Sequence, residues 1–251
     1  MSRLRPPLWT GLESAWSLRI EVLPPGPETP DAAIEAEWAF IRARNPRCFN
    51  GPILAFLDAD PSRGRLRVRR DRYKRLAVQP RIATGVTQLG VTGVLEASDL
   101  AGTSHVLLGL RSRATRIFGG LWEFGPSGGV DAPPINRDSL DAADVWRGLV
   151  NEIREELGLP VDPDPAPPIG LLADPEANSV DLVVRVRLVR PVEELVAAID
   201  DESGTSRWEY EAVRWVAIGE LGPFFAAHPT IPATVAVARA IGWIGEACST
   251  G

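Results

Sequence analysis

The stretch from Asp141 to Leu159 restricts this chain more than any other. On a helical wheel Val145, Trp146, Leu149, Val150, Ile153 and Leu157 form one apolar stripe, which has to be buried against a core. Ser139 or Asp141 can cap the start, and Gly158-Leu159-Pro160 is a stop signal, so the predicted helix is bounded at both ends. Glu152 and Glu156, one turn apart, fall on the margin of the stripe, with Glu155 just beyond. A carboxylate at the edge of a buried face is costly unless it is paired or ligates a cation, so a metal is expected here. Asp144 lies eleven residues before Glu155, roughly 16 Å along a helix at 1.5 Å per residue. That separation makes Asp144 a capping or loop acid rather than a fourth ligand.

Upstream, Gly119 to Asp131 is an apolar and aromatic segment running into a glycine turn at Gly128-Gly129. The order of strand, double glycine, loop, and a helix ending in Glu-x-x-Glu-Glu-x-Gly resembles the Nudix hydrolase signature. Its second half is matched at Glu152, Ile153, Glu155, Glu156, Gly158 and Leu159. Two positions depart from it: Asn151 stands where the signature has Arg, and Ala143, next to Asp144, where it has an earlier Glu. The loop after Gly129 is also lengthened by Ala132 to Arg137. The helix carboxylates, which supply the hard oxygen ligands in that family, are kept.

The amide at Asn151, the longer loop and an amino-terminal extension are similar to a divergent Nudix group that splits UDP-glucose and UDP-galactose. Further likeness lies in Trp38 to Phe49, Arg70 to Leu76, Leu89-Gly90-Val91, and Asp144 seven residues before Asn151. The resemblance implies an α+β fold: a Nudix α/β/α sandwich with a mixed sheet over residues 85–251, preceded by a small α+β module over residues 1–84. It implies hydrolysis of a UDP-sugar to UMP and a sugar 1-phosphate. Magnesium, or manganese in its place, would be held by Glu152, Glu155 and Glu156 with the Gly129 carbonyl. Glu155 would be either a ligand or the base that takes the proton of the attacking water. Two alternatives stay open, a hydrolase of another nucleoside diphosphate derivative such as ADP-ribose and a non-catalytic nucleotide-binding module.

Composition narrows the partners. With 251 residues and 45% apolar content the chain can bury a full core. Its 27 basic and 33 acidic residues give a net charge of −6, which argues against a general affinity for nucleic acid or anionic membrane. A small nucleotide sugar is the expected partner, and a homodimer is compatible with the sequence. Cys48 and Cys248 are far apart and lack metal-ligand neighbours, so neither a disulfide framework nor a zinc site is indicated. No apolar run reaches the length of a membrane span, and Met1 to Thr10 is rich in Arg and Pro, so a cytoplasmic protein is expected.

Taken in order, Trp16–Val22 alternates as a half-buried strand, and Thr29 or Asp31 opens a helix to Arg44 with Ile34, Trp38 and Ile41 on one face. Strands are expected at Ile53–Leu57 and Leu66–Val68 around a turn at Asp58–Gly64. In the second of them Arg65, Arg67 and Arg69 point outward from a solvated edge. The next strands are Gln88–Leu95 and His105–Leu110, after which Arg111, Arg113 and Arg116 approach the glycine segment as candidate contacts for an anionic substrate. A proline-rich connector over Pro163–Pro168 leads to strands at Ile169–Leu172 and Val180–Val189, joined by a polar turn whose Asn178 could line the mouth of a site. A helix at Pro191–Ile199, a loop to Arg207, a strand at Val213–Ile218 and a helix at Pro232–Ala247 complete the chain. Before that last strand, Glu209 or Glu211 could add a further metal carboxylate. Glu209, beside Trp208, is the choice, as a downstream Glu often serves in the family.

Overall fold

The computed structural model describes residues 7–12, 17–26, 31–161, 165–201 and 209–245. The chain is α+β. Its strands are β1 (Leu8–Gly11), β2 (Arg19–Leu23), β3 (Pro52–Asp60), β4 (Arg65–Arg72), β5 (Gln88–Ser98), β6 (Ser104–Arg111), β7 (Trp122–Phe124), β8 (Ser127–Gly129), β9 (Ser139–Asp141), β10 (Pro168–Asp174), β11 (Ser179–Arg187) and β12 (Tyr210–Ala217). The helices are α1 (Ala32–Arg44), α2 (Tyr73–Ala77), α3 (Ala142–Leu157), α4 (Val192–Asp201), α5 (Leu221–Ala227) and α6 (Pro232–Ala240).

One mixed sheet joins these strands, and β5 is its hub. Every residue of β5 from Leu89 to Ala97 is buried, the signature of a strand covered on both faces. Along one edge it pairs in parallel with β11, from Ser179↔Gln88 to Arg187↔Glu96. Its other edge is shared by three antiparallel partners: β3 at Ala55↔Gln88, β8 over Gly90–Thr92, and β6 over Glu96–Ser98. Because β6 follows β5 for only three register pairs and is otherwise flanked by β12 and β7, the two strands part like a fork. The functional cavity opens in that fork.

The two faces of β5 meet different helices. Leu89, Val91 and Leu95 join a core with Val145, Trp146, Leu149, Ile153 and Leu157 of α3, which is the apolar stripe read from the sequence. On the opposite face Val94 packs with Val106, Leu108, Trp122 and Phe124 and with Ala233, Val237 and Ala238 of α6. A sheet sandwiched between α3 and α6 follows.

The amino-terminal strands extend the same sheet. β4 lies between β3 and β2, β2 pairs with β9 through Ile20↔Leu140, and Ile20, Leu54, Leu66 and Val68 belong to the core cluster that contains α3. The arginine-bearing strand is therefore interior, not an edge. Its alternation holds, with Leu66 and Val68 buried, but the outward arginines are balanced by acids on neighbouring strands: Arg67 meets Glu21 of β2 at 3.5 Å and Asp58 of β3 at 3.0 Å. Cross-strand charge pairs allow a basic strand to sit inside a sheet.

Other boundaries moved for local reasons. Asp31 caps α1, accepting from the backbone N–H groups of Ala33 and Ile34, while Thr29 and Trp16 lie outside the described residues. β3 runs on to Asp60 because β4 continues to pair with it, and a one-turn helix at Pro61–Arg63 makes the reversal, closed by Gly64 at φ 61°. The described part of the last helix ends at Ala240, where Gly242 at φ 79° turns the chain; Ala247 lies outside the described residues. Residues 163 and 164 of the proline-rich connector and residues 202–207 of the loop to Arg207 fall outside them as well. Among the described residues no helix is long and apolar enough to cross a membrane.

Candidate active site

The site grows from the ends of α3. Asp141 is its N-cap, and a capping box joins it to Asp144: Asp141 accepts from the Asp144 N–H and Asp144 from the Asp141 N–H, each at 3.0 Å. Arg137 and Arg147 both close on the Asp144 carboxylate, so this acid fastens the long loop to the helix. At the other end Gly158 takes the left-handed conformation at φ 67° and its N–H returns to the Arg154 carbonyl, which stops the helix immediately after the acids.

Glu156 is buried at 8% exposure, Glu152 is half-buried and Glu155 is exposed. Glu156 shares hydrogen bonds with Glu152 and with Glu209, which arrives from the segment leading into β12. Burial pushes the Glu156 carboxyl far up, and the charges of Glu209, Glu152 and Glu123 push it further. Burial also raises Glu152 and Glu209. All three carboxyls of the cluster therefore bind a proton more readily than an exposed glutamate does. Among the described residues no set of three or more His, Cys, Asp or Glu stands ready-spread around an ion. One oxygen of the cluster, Glu156 Oε2, is nevertheless buried without a hydrogen-bond partner. An all-oxygen donor set with an orphaned carboxylate oxygen fits a hard divalent cation, whose binding would require the carboxyls to be deprotonated.

The double glycine lies in β8 rather than in a turn, since Gly129 pairs with Gly90 and Gly128 with Val91 of β5. Glycine is required there by close packing. A β-carbon at Gly128 would stand 2.6 Å from Glu152 Oε1, and one at Gly129 would collide with the Gln88 amide.

A cavity of about 320 Å³ occupies the fork. Gln88, Thr92, Gly128 and Gly129 line one side, and Arg111, Glu123 and Glu209 the other. Arg111 ends β6 and donates to Glu123 Oε1 at 2.6 Å; the Tyr210 hydroxyl donates to the same oxygen at 3.2 Å. Burial raises Glu123 in spite of both partners. Arg111 Nε is a second buried atom without a partner, a donor in the same cavity wall. Deeper in, Thr92 donates to Asp181 Oδ2 at 3.1 Å, and burial pushes the Asp181 carboxyl up to about 7.

Of the residues picked from the sequence, Glu152, Glu156 and Glu209 come together, with Gly129 and Arg111 on the same cavity. Glu155 sits on the exposed flank of Glu152, close enough for its charge to raise that carboxyl. Arg116 lines the cavity mouth and donates to the Ala177 carbonyl at 3.3 Å. Arg113 is exposed, and its backbone N–H donates to Glu211. Asn178 takes a left-handed turn conformation at φ 54° and its carbonyl accepts from the Gln88 N–H, while its neighbours Ala177 and Ser179 line the cavity. Asn151 is exposed on α3. Sequence reasoning missed Glu123, Asp181, Thr92 and Tyr73. Two of these carried a signal, an acid inside an apolar strand run: Glu123 between Trp122 and Phe124, and Asp181 between Val180 and Leu182.

Fold and site together define an α+β protein with a carboxylate cluster at the mouth of a forked mixed sheet. Among solved structures similar to it are a Nudix hydrolase from M. smegmatis, RenU, with 17% identity over 64% of this chain and 89% of that one, at a TM-score of 0.42. Another is a Nudix hydrolase from Alicyclobacillus acidocaldarius, with 15% identity over 62% and 90% and a TM-score of 0.44. A third is the Nudix domain of Shewanella oneidensis NrtR in complex with ADP ribose, with 15% identity over 65% and 94% and a TM-score of 0.41. No protein-family description matches the sequence, and no curated protein is a significant match.

Proposed function

We propose that this chain is a divalent-cation-dependent hydrolase of the diphosphate bond in a nucleotide derivative, with a UDP-sugar as substrate and UMP and a sugar 1-phosphate as products. One observation carries the reading: Glu209, which interacts with the buried Glu156 whose Oε2 lacks a partner, lines the same cavity as Arg111, whose Nε lacks an acceptor. A cation-seeking oxygen and an anion-seeking N–H side by side are what a metal-complexed diphosphate would satisfy.

Magnesium would be held by Glu152, Glu156, Glu209 and the Gly129 carbonyl, and when bound there it would neutralise diphosphate charge and lower the pKa of a water. Arg111 and Arg116 orient the diphosphate oxygens across the mouth. Glu155, exposed beside Glu152, accepts the proton as water attacks one phosphorus and the bridging P–O bond breaks. The departing phosphate carries away the bond's electron pair. Asp181, Thr92 and Ser179 offer acceptors and hydroxyls suited to sugar hydroxyl groups.

The test is to incubate the protein with UDP-glucose, UDP-galactose, ADP-ribose and dinucleoside polyphosphates, with and without magnesium, and to separate the products. Magnesium-dependent UMP from the UDP-sugars, lost in Glu156→Gln, supports the reading. Turnover of ADP-ribose alone would replace the substrate, and binding of all four without product would replace catalysis by a nucleotide-binding role.

A further inference from the structure

A second cavity, of about 410 Å³, lies where α1 and α2 of the amino-terminal segment meet the loop after β6. Tyr73, Thr115 and Arg116 line both this cavity and the one in the fork, so the two are neighbours across a common wall. That wall is polar at its centre: the Arg116 guanidinium lies close enough for its charge to act on the Tyr73 phenol, and Tyr73 is braced from behind by an edge-on contact with Trp38 at 6.2 Å.

The second cavity has a different chemistry from the first. Phe40 is 44% exposed on its rim, and the guanidinium groups of Arg81 and Arg44 lie over the Phe40 ring at 4.9 and 5.5 Å from its centroid. Its charged lining is Glu37, Arg44, Arg81 and Arg116, and Glu37 is matched to Arg81 at 3.2 Å. Arg44 and Arg116 therefore give the cavity a positive balance in a chain of net charge −6. An aromatic ring beside guanidinium planes suits a flat, electron-rich group attached to a phosphate. The fork cavity, with its carboxyls and hydroxyls, suits a sugar.

We infer that the amino-terminal segment forms a substrate subsite: the base-bearing half of the nucleotide passes Arg116 and Tyr73 and is held in the second cavity by Phe40, Arg44 and Arg81, while the other half occupies the fork. The ligand's chemical class rests on the function proposed above, but the subsite is tested by binding alone. A diphosphate reaching both cavities would pass the common wall of Tyr73 and Arg116, where the charge of Glu209 already acts on the Tyr73 phenol.

Binding of UMP, AMP and ribose 5-phosphate to the full chain is measured by calorimetry without added metal, for wild type, Phe40→Ala and Arg44→Ala. Both side chains are on the surface, and circular dichroism checks that each variant keeps its fold. At least a tenfold weakening of UMP or AMP in Phe40→Ala, with ribose 5-phosphate unchanged, supports a subsite for the base, and Arg44→Ala should weaken both nucleotides. Nucleotide affinities within twofold of wild type in both variants overturn it, as does no nucleotide binding by the wild type. Loss of binding in the variants of a protein that hydrolyses none of the diphosphates would keep the subsite and discard the hydrolase.

Discussion

The Glu152 carboxylate presses on the backbone of Gly128 so closely that a single added carbon there would stand 2.6 Å from its Oε1. Gly128→Ala forces either β8 or Glu152 to move. Overpacking of this kind costs about 1–3 kcal/mol. The variant should fold with a lower thermal midpoint and, if Glu152 holds the cation, lose at least tenfold in magnesium-dependent turnover. Full activity in a folded Gly128→Ala protein would remove Glu152 from the proposed ligand set.

The buried carboxyls give the metal-free protein a distinct pH response. Glu123, Glu152, Glu156, Asp181 and Glu209 all bind a proton more readily than in an unfolded chain, with burial the largest cause. Acids with raised folded values stabilise the fold while protonated, and that contribution is lost as pH rises. For Asp181 the loss runs from near 3.8 to about 7, at roughly 1.4 kcal/mol for each pH unit in the steepest part. Asp60 and Asp144, with lowered values, act in the opposite sense but only below that window. The thermal midpoint without metal should fall between pH 5 and pH 8, and magnesium should raise it more at pH 8. A midpoint that climbs over this range would contradict the assignment.

Arg111 is the counter-charge of a buried acid. Arg111→Met strands Glu123 next to Glu156 and Glu209, and breaking a buried pair from one side costs about 3–5 kcal/mol. Adding Glu123→Gln should return part of the loss. Equal urea midpoints for the single and double variants would show that the pair is not coupled.

Asp144 separates a structural acid from a catalytic one. Asp144→Ala removes the capping box and the anchor of Arg137 and Arg147, with an expected cost of about 1 kcal/mol. Magnesium titration of the variant should give the same apparent affinity as wild type, because Glu152 and Glu156 follow Asp144 by eight and twelve residues, roughly 12 and 18 Å along the helix. A large shift in that affinity would place Asp144 in the metal site after all.

How much could be read beforehand depended on how local the cause was. Helix α3 was largely legible: its stripe and its Gly158 stop are sequence-local and the structure reproduces both, while of the two cap candidates Asp141 caps the helix and Ser139 lies in β9. The choice of Glu209 over Glu211 also placed the acid that meets Glu156, while Glu211 turns to the Arg113 backbone. The position of β4 was not legible, because an alternating basic strand looks the same whether its neighbours are water or Glu21 and Asp58. Nor were the short strands β8 and β9, which have three residues each and exist because longer strands offer them partners. The helices α2 and α5 are similarly short and carry too few residues to show a period. Asp181 needed the register of β11 on β5 before it could be seen to face Thr92.

The stitching of β2 to β9 bears on how the molecule is made. Ile20 pairs with Leu140 and Trp9 with Leu172, so strands formed early in synthesis wait for partners more than a hundred residues downstream. Such distant closures slow folding and leave the first strands without their edges on a nascent chain. β9 leads directly into α3, so the seam that ties Ile20 to Leu140 also fixes where the glutamate helix begins. The footing of the carboxylate cluster therefore rests on a strand supplied from the far end of the chain.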